Sequence, residues 1–169
     1  MASVGAFCIV LLVLTTVLHY EMLRILTVGL PGLQVPARAK LIVVIFGTFL
    51  AHAVEIFLYA VAFYVLARYL GAGVLGDAGS SSLTLSLYFS AETYTSLGYG
   101  DVVPGGDLRL LAGMEALNGL LLIGWSASYT YIAMERFWTS QDQSRLDASA
   151  APSASERSFL KAMPASTLP

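Results

Sequence analysis

The sequence predicts an all-α membrane protein with three spanning helices and one shorter helical segment between the second and the third. Two observations carry this. The chain has 169 residues, of which 57% are hydrophobic and only 12% charged, and its mean hydropathy is +0.73; a soluble domain would carry about 25% charged residues. The apolar residues also fall into three runs, each long enough for the ~20 residues that a bilayer requires. A net charge of −2 says little about partners, and the chain has no basic patch for nucleic acid. Cys8, the single cysteine, sits among Ala6, Phe7, Ile9 and Val10; it cannot form a disulfide within the chain and reads as a small apolar residue. No internal repeat, phosphate-binding loop or zinc-type spacing is found.

The first span covers residues 4–28 of an N-terminal segment, 1–32. A secretory signal would need a basic start and a short apolar core. Residues 1–6 hold no Lys or Arg and the run is too long, so the reading is a retained helix. Gly29, Leu30, Pro31 and Gly32 are expected to break it, and a short polar link with Pro36, Arg38 and Lys40 follows. The second span, over 41–69, carries His52 and Glu55 deep in an apolar run. Residues 71–82 are rich in Gly and Ser and read as a loop, with Ser80, Ser81 and Ser82 as candidate N-caps for a helix over 83–95. That helix is too short to cross a bilayer. Non-helical backbone at membrane depth survives only when buried in protein or lining a water-filled cavity. Gly105 and Gly106 lead into the last span, 108–136, which ends at Arg136, Phe137 and Trp138, residue types that favour the interface. Residues 139–169, rich in Ser, Ala and Pro, are expected to form a disordered tail.

The stretch around which the chain is organised is Thr93-Tyr94-Thr95-Ser96-Leu97-Gly98-Tyr99-Gly100-Asp101. With Tyr88, Phe89, Ser90, Ala91 and Glu92 before it and Val102, Val103 and Pro104 after it, it resembles the pore helix and selectivity filter of potassium channels, T-x-G-Y-G-D. The specific likeness covers residues 88–104 and the architectural one about 41–136. It is to small prokaryotic channels with one pore loop per chain, here with an additional N-terminal helix. The physical requirement behind the motif is that backbone carbonyls replace the water that a K⁺ ion sheds, so every C=O must face one axis. Gly98 and Gly100 can adopt the positive-φ conformations this needs.

The resemblance implies a pore domain over 33–138 and a homotetramer in a lipid bilayer, since one chain supplies one filter strand and a ring needs four. It implies passive K⁺ conduction with no cofactor, no small-molecule substrate and no catalytic residue. Residues 95–101 would be the filter. Thr95, Ser96, Leu97, Gly98, Tyr99 and Gly100 would line the ion sites, with K⁺ held by carbonyls of Ser96, Leu97, Gly98 and Tyr99. Ser96 stands where the family usually has Thr, and Leu97 where it has Val or Ile; these departures raise a weakly selective cation channel as the alternative. Leu97 should point behind the filter, and Tyr99 should pack on Tyr88 and Phe89. Glu92 and Asp101 would meet behind the filter and share a proton, or else Asp101 is a solvated mouth residue and Glu92 a separate buried acid. Gly113, Gly119 and Gly124 are gate candidates on the last span, with close helix packing the equal alternative.

The family's pore loop enters from outside. That leaves Arg24, Arg38, Lys40, Arg136, Arg145, Arg157 and Lys161 on the cytoplasmic side and only Arg68 and Arg109 outside, in keeping with the positive-inside rule. The N-terminus is then outside, the C-terminus cytoplasmic, and the expected location the inner membrane. No arginine repeat marks a voltage sensor.

Buried polar residues offer one further expectation. His19 lies about 13 Å above the inner end of the first span and His52 about 18 Å above Lys40 at 1.5 Å per residue, with Glu55 one turn on. His19 would therefore bond His52 or Glu55 across the helix pair, and Glu115 and Asn118 would extend the network. The competing reading has His19 and Glu21 reaching toward the interface beside Arg24. A membrane enzyme or metal site built from His19, Glu21, His52, Glu55 and Glu115 lacks any recognised ligand spacing, His52 and Glu55 forming only one i, i+3 pair. A non-conducting accessory subunit is a remaining possibility, against which the intact filter argues.

Overall fold

The computed structural model describes residues 2–76 and 82–150. Four helices follow one another: α1 (Ala2–Gly32), α2 (Ala37–Arg68), α3 (Leu83–Tyr94) and α4 (Leu108–Ala150). All regular elements among the described residues are helical. Among the described residues, three helices are long and apolar enough to cross a membrane: Ser3–Gly32, Arg38–Arg68 and Leu108–Arg136. Large apolar side chains such as Ile9, Val13, Phe46, Phe49 and Leu121 lie exposed on their outer faces, which suits lipid or a neighbouring chain rather than water.

Two boundaries depart from expectation. α1 continues through Pro31 to Gly32; a proline in the last turn removes one N–H where the helix is ending anyway. α4 runs to Ala150, taking in residues 139–150 of the expected disordered tail. That segment holds good helix formers in Gln141, Gln143, Arg145 and Leu146 and no Gly or Pro before Pro152. Residues 151–169, the rest of that expectation, lie outside the described residues, as do Ser80 and Ser81.

α2 is the hub: it packs on α1, α3 and α4, while α1 and α3 share no packing of their own among the described residues. The main core joins Val4, Cys8 and Leu11 of α1 to Tyr59, Phe63 and Leu66 of α2, with Phe89, Tyr94, Leu108 and Leu111 contributed by α3 and α4. Phe63 and Phe89 meet edge to face, centroids 5.0 Å apart. A smaller cluster, Leu23, Leu26, Leu30, Val44 and Ala133, closes the other end. The α2–α3 and α3–α4 connections are zipped together by Gly76 N–H to Val103 O at 3.1 Å and Gly105 N–H to Val74 O at 2.8 Å. This tie fixes both ends of the segment that carries α3 and the glycine-rich strand.

Candidate functional site

α3 starts at Ser82, whose side chain accepts from Leu85 N–H at 3.1 Å, the N-cap role foreseen for it. Its 12 residues span about 18 Å at 1.5 Å per residue, so it enters without crossing. It buries Ser86, Phe89, Ser90, Glu92 and Tyr94 and stops where Thr95 caps it, the hydroxyl donating to Ala91 O at 2.8 Å.

Beyond Thr95 the backbone changes character. Ser96, Gly98 and Gly100 have φ of 56°, 55° and 81°, and the residues between them do not have positive φ. An extended strand turns successive carbonyls to opposite sides; alternating the sign of φ turns them to one side. The hydrogen bonds show which side. Ser96 N–H donates to Thr93 O at 2.9 Å, and Leu97 and Gly98 N–H to Glu92 O at 2.8 and 3.3 Å. Tyr99 N–H donates to Glu92 Oε2 at 3.2 Å. These amides face α3. In a trans peptide the preceding carbonyl points opposite to the N–H, so the carbonyls of Thr95, Ser96, Leu97 and Gly98 face away from α3, and none accepts a bond from a described residue. A row of aligned, unbonded carbonyls is a cation-coordinating surface that a single chain does not complete. Ser96 is the one non-glycine with positive φ among the described residues. Strain of this kind collects at functional sites.

The side chains around the strand depart from expectation in two respects. Glu92 and Asp101 do not bond each other: Glu92 holds the Tyr99 amide, while Asp101 Oδ2 accepts from the Tyr88 hydroxyl at 2.9 Å. Each carboxyl has a donor of its own, and two carboxylates repel each other at close range. Phe89 instead packs edge to face on Phe63 of α2, while Tyr99 is 69% exposed and Leu97 57% exposed.

Of the gate candidates, Gly119 has a definite structural role. A Cβ there would lie 2.2 Å from the Tyr94 carbonyl oxygen, whereas at Gly113 and Gly124 it would meet nothing within 4 Å. Only glycine lets α4 approach the end of α3 this closely.

The buried polar residues cluster as expected at one centre. His19 Nδ1 lies 2.9 Å from Glu55 Oε1 and His52 Nδ1 3.1 Å from Glu55 Oε2. Glu21 instead pairs with Arg24 at 2.8 Å on the surface. Sequence reasoning missed Tyr94, which donates to Glu55 Oε2, and Ser126, 3.1 Å from His19 Nε2. Asn118 and Glu115 do not extend this group. Asn118 donates to Thr15 Oγ1 at 2.8 Å and Tyr59 Oη at 3.1 Å, and Glu115 Oε1 lies 2.5 Å from Ser90 Oγ. A usable signal existed: Ser86, Ser90 and Tyr94 recur every fourth residue, a polar stripe along one face of α3.

Three apolar spans flanking a re-entrant helix and a one-sided carbonyl strand define the pore-loop class of multi-pass membrane proteins. The family described as "Ion channel" matches residues 51–136, about half of the chain, from within α2 through α3 and the strand into α4; the chain belongs to that family and is a channel protein rather than an enzyme. It is 34% identical over 98 residues to the inward rectifier potassium channel Kirbac3.1 of Paramagnetospirillum magnetotacticum, a match covering 57% of this chain and 33% of that protein. The chain thus spans about a third of the length of that relative. The likeness to potassium-channel pores drawn from residues 88–104 is borne out by these two findings. No solved structure matches the chain.

Proposed function

We propose that four copies of this chain close a K⁺-selective conduction path, with carbonyls of Ser96, Leu97, Gly98 and Tyr99 as the ligands, flanked by Thr95 and Gly100. The observation that carries this reading is the engagement of the strand's amides toward α3, which leaves its carbonyls free on the opposite side. A row of this kind is costly unless an ion or water meets it, and fourfold repetition would supply a full coordination shell. Tyr88 and Glu92 hold the strand from behind through Asp101 and the Tyr99 amide. The relative's description as a potassium channel points the same way. The pore domain would be residues 33–138, set in the inner membrane with the N-terminus outside and the C-terminus cytoplasmic, as the distribution of Lys and Arg favours. Gly113 and Gly124, which pack against nothing, remain the candidates for bending α4.

A weakly selective cation channel is the second reading, favoured by Ser96. Its hydroxyl lacks the methyl that restricts a threonine rotamer, and it stands at a strained φ. Reversal potentials of the purified channel in liposomes under K⁺/Na⁺ gradients, with Ba²⁺ block compared, separate the two. A reversal potential near that for K⁺ supports the first reading, one insensitive to the gradient supports the second, and absence of any flux overturns both.

A further inference from the structure

We propose that His19, His52 and Glu55 form a binding site for one divalent ion of the Zn²⁺ class per chain, joining α1 to α2 beside the end of the pore helix. Sequence spacing gave no hint of it, because the ligands come from two helices, 36 residues apart for His19 and Glu55. The fold brings them together: one ligand atom from each residue lies within 4.8 Å of the others. The two imidazole rings lie 5.1 Å apart, and their Nδ1 atoms flank the two carboxylate oxygens at 2.9 and 3.1 Å. Ligands of a tetrahedral ion bound at about 2.0–2.1 Å stand about 3.3 Å apart. Small rotations of the side chains would therefore admit an ion among all three.

The surroundings fit as well. His19 and Glu55 are fully buried, and no Lys or Arg approaches the carboxylate among the described residues; an intramembrane ionisable group in such a place marks a functional site. With His19 Nδ1 on the ion, its Nε2–H donates to Ser126 Oγ, 3.1 Å away, the outer bond that metal-bound histidines characteristically make. Tyr94 donates to Glu55 Oε2 and orients the carboxylate. The fourth position is left to water. Two imidazoles and one carboxylate suit Zn²⁺, Co²⁺ or Ni²⁺; Mg²⁺ and Ca²⁺ prefer all-oxygen sites. Bound there, the ion would tether α1 to α2, whose Glu55 also accepts from Tyr94 at the end of α3.

The test uses the full chain, purified without a histidine tag, treated with chelator and titrated with CoCl₂. The expected result is a saturable visible d–d absorption of four-coordinate intensity, one Co²⁺ per chain, lost on adding Zn²⁺ and unaffected by Mg²⁺. His19→Gln and His52→Gln should each remove the band. Ser126→Ala should keep the stoichiometry and weaken affinity by roughly 10–100-fold. Absence of a saturable band in the wild-type chain, or a band that survives both histidine substitutions, overturns the site and leaves a plain hydrogen-bonded cluster. If neither histidine variant folds, Ser126→Ala decides: weaker Co²⁺ binding supports the site and unchanged binding overturns it. The readout is independent of ion flux, so it stands or falls apart from the conduction reading.

Discussion

The strand after α3 and the helix α1 are held in place by opposite kinds of bond. Ser96, Leu97 and Gly98 donate to backbone oxygens of Thr93 and Glu92, a few residues away, and Asp101 reaches back only to Tyr88. α1 is attached by side chains whose partners are far along the chain: His19 to Glu55 and Ser126, Thr15 to Asn118, Thr27 to Tyr129. The first arrangement fixes carbonyl direction by local backbone geometry, without any partner far along the chain. The second specifies which helix docks where, and it tolerates change in ways that a coordination geometry does not.

The sharpest break in this comparison comes from the strand. Gly98→Ala and Gly100→Ala put a Cβ at φ of 55° and 81°, where neither position is crowded within its own chain. The cost is therefore conformational: a φ that L-residues adopt at about 1–2 kcal/mol, which the proposed tetramer would incur in each of its four copies. Either substitution should abolish K⁺-selective flux while leaving helix content unchanged by circular dichroism. Wild-type selectivity in Gly98→Ala liposomes would overturn the assignment of the strand as the filter.

The next largest effect belongs to the buried cluster. Glu55→Ala leaves His19 Nδ1 without a partner, while His52 Nδ1 and the Tyr94 hydroxyl, 2.9 Å apart, keep each other. A buried polar group so stranded costs roughly 1–3 kcal/mol, so the melting temperature of the chelator-treated protein should fall by several degrees. A melting temperature equal to wild type would mean that the cluster does not hold α1 in place.

Gly119 tests whether α4 is built for contact or for bending at that point. Ala at 119 would meet the Tyr94 carbonyl at 2.2 Å, an overpacking that typically costs about 1–3 kcal/mol. Ala at 113 or 124 meets nothing within 4 Å and should stabilise the helix by up to ~1 kcal/mol. Thermal melts should therefore move in opposite directions. Equal shifts for all three would return Gly119 to the status of a hinge.

The same contrast explains what the sequence made legible. The spans, the re-entrant helix, its cap at Ser82 and the glycine-bearing strand are local properties, written in hydropathy and in residues that tolerate positive φ. The positive φ at Ser96 was not legible, because no serine signals it; the alternation that includes it belongs to the strand as a whole. The meeting of His19 with Glu55 could be reasoned from depth along antiparallel helices. The destinations of Asn118 and Glu115 could not, since rotation about each helix axis is set by packing that only three-dimensional contact reveals. Glu92 and Asp101 show the limit of analogy: the resemblance paired them, but Glu92 holds the Tyr99 amide and Asp101 the Tyr88 hydroxyl.

The smallest expected effect concerns how the long-range bonds of α1 divide. Asn118 bonds Thr15 and Tyr59, and neither of these residues bonds His19, Glu55 or Ser126 among the described residues. If the clusters are separate, Thr15→Val and Asn118→Leu should couple with each other and not with the histidine centre. Hydrogen bonds between membrane helices average about 0.6 kcal/mol and reach about 1.7, so the double-mutant cycle for Thr15 and Asn118 should give an interaction energy in that range. The cycle for Asn118 and His19, measured in chelator so that no ion contributes, should be additive within about 0.3–0.5 kcal/mol. Coupling of His19 to Asn118 as large as that of Thr15 would show that the polar residues act as one network. The docking of α1 would then resemble the strand after all, as a unit that changes everywhere when touched anywhere.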